Sequence, residues 1–311
     1  MNIKNLFYPL SLAMAAMTLT ACSSTESEEA VTAETAKAGQ TGTFQVSINV
    51  GPAQTRAISV GGNNGQTLYT NWDNGDEVQV VKDGATSVAG TLTADVSAGN
   101  SAYATLTGTL SGTFAVNDQV TLHYHTASLD YTGQKGTIAD VSTSKSYLTA
   151  TSTVKQIGQT TGTVKDETND YLVMSDAAYE AQQAYLDITF TDGAGQALAI
   201  TKLEVWTSEG KLVKTAPLDG QTVYATDASP LTITPDAATD HFFLALRDEA
   251  GTSNTIYFKA TTAGYTYIYY IYSQDLELKY GEYYYAASPK TMMMYPNSSA
   301  KNYIWNTPTE E

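Results

Sequence analysis

The sequence is almost free of cysteine, since Cys22 is the only one in 311 residues. A single thiol excludes a disulfide within the chain and a zinc site built from several thiolates, so burial of apolar side chains must hold the fold. Basic residues are scarce too, with 16 Lys and Arg against 32 Asp and Glu, for a formal net charge of -16. This balance argues against nucleic acid as a partner, because a phosphate backbone attracts basic surfaces.

Motifs that carry catalysis are also missing. The sequence contains no Gly-rich phosphate loop, no HExxH and no G-x-S-x-G stretch. We therefore predict no catalytic residue, no enzymatic activity and no cofactor. His123 and His125 flank Tyr124 and would share one strand face, as two zinc ligands can, but no third ligand is near. The oxygen-rich stretch 73–77 lacks the order of an EF-hand loop, so we predict no metal site.

The N-terminus carries an export signal. Lys4 precedes an apolar run over residues 6–21, which is too short to span a membrane as a helix, and no later apolar run reaches the roughly 18 residues needed. The ending Leu-Thr-Ala-Cys resembles a bacterial lipobox, which implies cleavage after residue 21 and lipidation of Cys22. Two acyl chains would give stable anchoring. The alternative is an ordinary secretory signal with an incidental cysteine.

Residues 22–42 form a predicted disordered tether, because they are acidic and small and lack an apolar period. The cluster Glu26, Glu28 and Glu29 is similar to export signals on surface lipoproteins of the Bacteroidetes. This similarity implies an outer-membrane, cell-surface location. A plain solvated spacer is the other interpretation.

Strict alternation begins after the tether. Phe44, Val46, Ile48 and Val50 fall on one face of a predicted strand over 43–50. Short segments of the same kind recur between Gly-rich and Asp-rich turns, which is typical of a sandwich or barrel. A Ser/Thr-rich stretch at 142–170 marks a boundary between two domains, 43–170 and 171–290, followed by a tail at 291–311. Further strands are predicted at 77–82, 87–92, 102–106, 119–124, 184–191, 200–208, 230–234, 240–247, 254–260, 265–273 and 283–287.

The stretch Trp72-Asp73-Asn74-Gly75-Asp76 stands at the entry to a predicted strand. We expect Gly75 to adopt a positive φ, Asp76 to cap the turn with its side chain, and Trp72 to pack in the core.

Taken in order, several runs resemble the fimbrillin-like (Mfa-like) lipoproteins of Bacteroides and relatives, the subunits of type V pili. The resemblance covers roughly residues 43–287 and implies an all-β fold of two tandem Greek-key β-sandwich, transthyretin-like domains. The runs that carry it are TFQVSINVGPAQTRA, NWDNGDEVQVV, YTGQKGTIADVSTSKSYLTATSTV and AAYEAQQAYLDITFTDGAGQALAITKLEVW.

The resemblance also implies a mode of assembly. A trypsin-like protease would cut between Arg56 and Ala57, and loss of the first strand, with Phe44, Val46, Ile48 and Val50, would open a groove for a strand of the next subunit. We consider the tail a candidate donor, because Met292 alternates with Met294 and Tyr303 with Trp305. The alternatives are that Arg56 is an ordinary loop residue, that the first strand is permanent, and that the tail packs on its own domain.

Predicted partners follow from this. They are other pilin subunits in a homo- or hetero-polymer, the outer membrane through the lipid anchor, and a host receptor or glycan. A different function, that of a lipid-anchored glycan-binding surface protein, is suggested by the dense tyrosines of residues 264–287, because aromatic rings stack on sugars. Their alternation also fits a plain strand with one aromatic face.

Overall fold

A computed structural model of the chain describes residues 39–51, 59–61, 67–69, 71–96, 102–161, 168–250, 254–272 and 276–295. All of them belong to one compact unit, Ala36–Glu311. The described residues are almost entirely β, in keeping with a sequence rich in Thr, Val and Tyr, which fit a pleated surface. The described helical structure is one short turn, α1 (Ile138–Asp140), continued by a π-helical turn, Val141–Lys145. No described helix is long and apolar enough to cross a membrane.

Eleven strands come from the first part of the chain. They are β1 (Gln40–Val50), β2 (Ser59–Gly61), β3 (Thr67–Tyr69), β4 (Glu77–Lys82), β5 (Val88–Asp95), β6 (Ala104–Phe114), β7 (Gln119–Tyr124), β8 (Leu129–Asp130), β9 (Leu148–Thr161), β10 (Thr168–Met174) and β11 (Glu180–Ala181).

Eleven more follow in the second part. They are β12 (Ala184–Thr191), β13 (Lys202–Thr207), β14 (Leu212–Ala216), β15 (Val223–Ala225), β16 (Leu231–Ile233), β17 (His241–Leu246), β18 (Ile256–Thr261), β19 (Thr266–Ile271), β20 (Tyr283–Tyr285), β21 (Lys290–Thr291) and β22 (Met293–Tyr295).

The first part closes on itself. Its strands pair in the order β10-β1-β6-β5-β4-β7-β9-β11, and β9 also pairs with β10. The long β9 makes this closure, because its first half pairs with β7 and its second half pairs with β10. The result is a continuous circuit of backbone hydrogen bonds through β10, β1, β6, β5, β4, β7 and β9. Closing a sheet in this way covers its edges.

The second part stacks two sheets, β17-β12-β20 and β16-β13-β18-β19-β22, with β21 added to β12. Their inner faces bury alternate residues, as in a sandwich. Phe190 of β12 packs against Phe258 of β18, with ring centroids 5.7 Å apart. A third sheet, β15-β14-β8, joins the two parts, because β8 comes from the first.

Polar side chains also join the two parts. The buried amide of Gln134 donates to the carbonyls of Tyr131 and Ala245 and accepts from the N–H of Ala245, as a strand backbone would. The buried amide of Gln183 accepts from the N–H of Tyr147 and donates to the hydroxyl of Tyr185. These buried polar groups are therefore hydrogen-bonded, as burial requires.

The all-β prediction is confirmed, and the strands predicted at 77–82, 119–124 and 184–191 have the expected bounds. The alternation pattern predicts no strand within the segment 142–170, but β9 and the start of β10 lie there. Its many Thr and Ser residues resemble a loop, but Thr also suits a strand that finds partners on both sides. The division into two domains at 170/171 stays a prediction.

Candidate functional site

The candidate site is centred on β1, the first described strand. Its residues alternate between buried and exposed, and the four predicted apolar residues, Phe44, Val46, Ile48 and Val50, are all buried. Full burial of a side chain of this kind is worth roughly 1.5–3 kcal/mol. The four together therefore hold β1 with an apolar contribution on the order of 10 kcal/mol.

Two strands flank β1. It pairs antiparallel with β6 along its whole length, where Phe44 lies opposite Leu110 and Ile48 opposite Leu106. On its other edge it pairs parallel with β10, where Val46 lies opposite Leu172. Among the described strands, β1 is the element that joins β6 to β10 in the closed circuit. Withdrawal of β1 would thus expose two rows of backbone N–H and C=O groups and an apolar floor between them.

Hydroxyl pairs fix the register of β1 on its outer face. The side chains of Thr41 and Thr113 lie 2.7 Å apart, and those of Thr43 and Ser111 lie 3.0 Å apart. A shift of one residue would break these pairs and turn the apolar face outward, so one register is strongly favoured.

A charged side chain anchors the far end of β6. Lys82 donates to the carbonyl of Thr113, forms an ion pair with Asp118 at 2.7 Å, and lies over the ring of Phe114. Burial acts to raise the pKa of Asp118, but the hydrogen bonds from Lys82 and the N–H of Ala115 outweigh it and hold the pKa below its usual value. Phe114, the partner of Phe44, is thereby held in place.

The chain leaves β1 at Gly51, whose N–H donates to the carbonyl of Ala177. The predicted cleavage residues, Arg56 and Ala57, lie outside the described residues. The sequence has only two arginines, Arg56 and Arg247. Arg247 is engaged, because it pairs with Glu249, donates to Gln182 and lies over the ring of Tyr280, with 18% of its side chain exposed. Of the two possible targets of an arginine-specific protease, Arg247 is therefore held by its contacts, and Arg56 is the other.

The start of the predicted donor tail lies in the second part of the chain, away from β1. Lys290–Thr291 pairs with β12, and Met293–Tyr295 pairs with β19. Met292 is buried between them, whereas the side chain of Met294 is 58% exposed. The two methionines are therefore not equivalent in this state. Tyr303 and Trp305 lie outside the described residues, as does Cys22.

The turn that contains Trp72 matches its prediction. Gly75 has a φ of +87°, and the side chain of Asp76 accepts from the N–H of Asp73 at 3.0 Å. Trp72 is buried against the rings of Tyr124 and Tyr179. This stretch serves the fold of the closed circuit.

The two histidines of the zinc alternative do not share a strand face. His123 lies within β7, but β7 ends at Tyr124, and His125 has a φ of +68° that breaks the alternation. Burial lowers the pKa of His123, which favours the neutral ring. Within the described ranges no group of three His, Cys, Asp or Glu side chains is placed to hold a metal ion.

Sequence reasoning missed several residues that complete the surroundings of β1. Leu106, Leu110, Phe114 and Leu172 contact its apolar face through pairings distant in sequence. The sequence predicts a strand at 102–106, which overlaps the start of β6. No local pattern indicates that this strand lies beside β1.

Comparison with known proteins finds no matching family model and no matching curated protein. Solved structures do match. A candidate cell adhesion protein from Bacteroides uniformis is 13% identical, with a TM-score of 0.38, over 78% of this chain and 91% of that chain. A candidate cell adhesion protein from Bacteroides ovatus is 11% identical, with a TM-score of 0.38, over 83% of this chain and 96% of that chain.

The tip fimbrial protein Mfa3 from Porphyromonas gingivalis, truncated at its C-terminus, also matches. It is 11% identical, with a TM-score of 0.32, over 74% of this chain and 81% of that chain.

Proposed function

We propose that this protein is a cell-surface pilus subunit or adhesin that assembles by exchange of a β-strand between subunits. The observation that carries the proposal is the position of β1, which bears a buried apolar face and joins β6 to β10. A strand in this position is a removable part of a closed circuit. Its loss leaves a slot whose hydrogen-bonding edges and alternate apolar pockets specify another β-strand.

Cleavage after Arg56 makes the exchange feasible. In the intact chain β1 is tethered to the strands that follow it, so any release is quickly reversed. After cleavage β1 is held by non-covalent contacts alone, so once it dissociates no covalent tether brings it back. With Arg247 held by Glu249, Gln182 and Tyr280, an arginine-specific protease would act at one position.

The incoming strand must reproduce the pattern of β1, with apolar residues at every second position. The tail at 291–311 is our proposed donor, with Met292 and Met294 in one apolar patch and Tyr303 and Trp305 in another. In the free subunit the beginning of this tail is attached through the short β21 and β22. Detachment would break only a few ladder hydrogen bonds, at the cost of exposing Met292.

The remaining elements of the proposal concern location and fold. Lipidation of Cys22 would anchor the chain in the outer membrane, and residues 22–42 would act as a tether that carries the folded part away from the lipid. We also propose that residues 43–170 and 171–290 are two Greek-key sandwich domains of the transthyretin-like kind.

Limited proteolysis tests the proposal. The chain from residue 22, with Cys22→Ser to remove the anchor, is treated with an arginine-specific protease and analysed by N-terminal sequencing and by a gel run without boiling. We expect a new terminus at Ala57 and a ladder of multimers. Arg56→Lys is the matched control, because an arginine-specific protease leaves it intact whereas brief trypsin treatment cuts it.

Each result bears on one step. Cleavage at Ala57 with a protein that stays monomeric contradicts strand exchange. Resistance of the native chain, with intact Arg56, contradicts processing. Multimers that form equally without cleavage contradict the role of β1 as a removable strand.

A further inference from the structure

A row of aromatic side chains crosses the outer face of the sheet β16-β13-β18-β19-β22. Trp206 on β13 lies directly opposite Tyr257 on β18, and Tyr257 lies directly opposite Tyr270 on β19. Tyr272 follows on the same side of the chain beyond β19. We call Trp206, Tyr257, Tyr270 and Tyr272 the aromatic track. It spans three adjacent strands, thus roughly 10 Å from the first to the third.

The rings of the track are in contact. Trp206 and Tyr257 are stacked, with centroids 5.5 Å apart and planes 16° apart. Tyr257 and Tyr270 are 6.4 Å apart, and Tyr270 and Tyr272 are 5.1 Å apart. Trp206 is 5% exposed and Tyr272 is 39% exposed, with Tyr257 and Tyr270 between them. The exposure of the rings therefore increases along the track from Trp206 to Tyr272.

A cavity of about 360 Å³ lies at the Trp206 end of the track. Its wall contains Trp206, Tyr257 and the segment 207–210, together with Thr226 and Asp227. Glu209 and Asp227 are exposed, and their carboxylates make no hydrogen bond to the described residues. This end thus combines aromatic surface with hydroxyl and carboxylate groups.

The wall of this cavity is preorganised by a buried amide. Asn254 accepts from the hydroxyl of Ser208 and from the N–H of Glu209, and it donates to Asp248. Gly210 has a φ of +60°, which the tight turn after Glu209 requires. Residues 207–210 are thus held before any ligand arrives, which reduces the entropic cost of binding.

A larger cleft, of about 530 Å³, lies at the other end. Tyr270 lines it together with Tyr283, Tyr284, Tyr285 and Lys290, over a floor that includes Leu186 and Ile188. Both volumes fall in or near the range typical of ligand sites. Trp206 and Tyr257 line the cavity, and Tyr270, whose ring lies 6.4 Å from that of Tyr257, lines the cleft, which lies between β12, β19 and β20.

The chemistry of this surface selects among ligands. The face of a pyranose ring presents C–H groups that pack on aromatic rings, and its rim presents hydroxyls that pair with carboxylates and hydroxyls. Acidic groups at one end repel a chain of anionic sugars, and Lys290 at the other end disfavours a cationic chain. A neutral sugar chain suits both ends, and its length is needed to reach from the cavity to the cleft.

We propose that the aromatic track and its two end cavities form a binding site for a neutral oligosaccharide chain. This site is separate from β1 and does not depend on strand exchange, so the monomeric, uncleaved protein binds. It extends the proposed function by giving the surface protein a carbohydrate ligand.

Affinity gel electrophoresis tests the site. The uncleaved chain is run through gels that contain starch, mannan, xylan or β-glucan, with hyaluronan and chondroitin sulfate as anionic probes. We expect retardation by at least one neutral polymer and by neither anionic one. Calorimetric titration with the hexasaccharide of the retarding polymer then measures the affinity.

Variants locate the binding. Tyr257→Ala and Tyr270→Ala should each weaken the affinity by about tenfold, because each removes one stacking ring. Tyr103→Ala, at an exposed tyrosine in the first part of the chain, should leave it unchanged. Glu209→Gln and Asp227→Asn, at exposed side chains, should leave the fold intact and weaken binding severalfold, so the site can be tested even where an aromatic variant fails to fold.

Three results overturn the proposal. These are passage through every neutral gel without retardation, equal affinity of Tyr257→Ala and the native chain, and stronger retardation by the anionic polymers. None of them bears on multimer formation after cleavage at Arg56.

Discussion

The rings of Phe44 and Phe114 meet edge to face, with centroids 5.6 Å apart and planes 89° apart. Phe44 lies near the middle of β1 and Phe114 ends β6, so this contact joins the proposed removable strand to a strand that remains. Aromatic pairs of this geometry contribute about 0.5–1.5 kcal/mol beyond the area that they bury. Substitution of Phe44 therefore tests how strongly this contact holds β1 in the fold.

Phe44→Ala should lower the free energy of unfolding by about 3–5 kcal/mol, because it leaves a cavity in the closed circuit and removes the ring contact with Phe114. Urea unfolding followed by circular dichroism measures this. Gln45→Ala, at the exposed neighbouring position, serves as control and should change the free energy by at most about 0.5 kcal/mol. Equal midpoints for the two variants would mean that β1 contributes little to the folded state.

A peptide with the sequence of β1 should inhibit multimer formation after cleavage at Arg56. It carries the same alternating apolar face, so it competes with the donor strand for the slot between β6 and β10. The measurement is the amount of multimer on an unboiled gel against peptide concentration. A control peptide with Ser in place of Phe44, Val46 and Ile48 should have no effect, and equal inhibition by both peptides would argue against a specific slot.

Gln134→Ala should lower the free energy of unfolding by about 2–4 kcal/mol. The amide of Gln134 satisfies both the N–H and the carbonyl of Ala245, and its loss leaves these buried groups unpaired. Gln196→Ala, at an exposed side chain, is the control and should be nearly neutral. A small effect of Gln134→Ala, comparable to that of Gln196→Ala, would mean that water replaces the amide.

The ion pair of His241 with Asp187 should make stability depend on pH. The hydrogen bond to Asp187 raises the pKa of His241, against burial, and Asp240 adds to the rise. Burial acts to raise the pKa of Asp187, but hydrogen bonds from His241 and Tyr283 outweigh it and lower the pKa. The folded state therefore binds a proton at His241 more tightly than the unfolded state does. The pair stabilises fully between the ordinary pKa of Asp187, 3.8, and that of His241, 6.5, and less as pH rises through the folded pKa of His241.

Unfolding in urea at pH 5.5 and at pH 8.5 measures this contribution. His241→Gln should cost about 0.5 kcal/mol at the lower pH and less at the higher, since the side chain of His241 is 55% exposed and solvent screens the pair. His123→Gln is the comparison, with the opposite sign. Burial lowers the pKa of His123, so the native ring costs stability as pH falls below 6.5 and its removal should relieve that cost. Equal effects of His241→Gln at both values would rule out the ion pair as the cause.

Much of the strand content could be predicted because alternation is local. The apolar face of β1 and the bounds of β4, β7 and β12 follow from side chains two residues apart. The strands within 142–170 were not predicted, because β9 is rich in Thr and Ser and its strand state depends on the partners β7 and β10. The prediction that His125 shares a strand face with His123 was wrong, because the positive φ of His125 ends the alternation that its neighbours suggest.

In the candidate sites, too, local patterns could be predicted from the sequence and strand pairings could not. The four apolar residues of β1 could be named from the sequence, but their neighbours could not. Leu110 lies opposite Phe44 and Leu172 opposite Val46 through pairings that no local pattern encodes. The aromatic track likewise depends on the registers that set Trp206, Tyr257 and Tyr270 side by side.

By itself, the sequence determined that this protein is built from β-strands and which face of β1 is apolar, because both depend on the spacing of side chains along a pleated chain. Only the tertiary structure decided that β1 closes a circuit between β6 and β10 and that four aromatic rings form one track. Strand pairing joins residues far apart in the chain, and the choice of partner and register is made by the packing of the whole molecule.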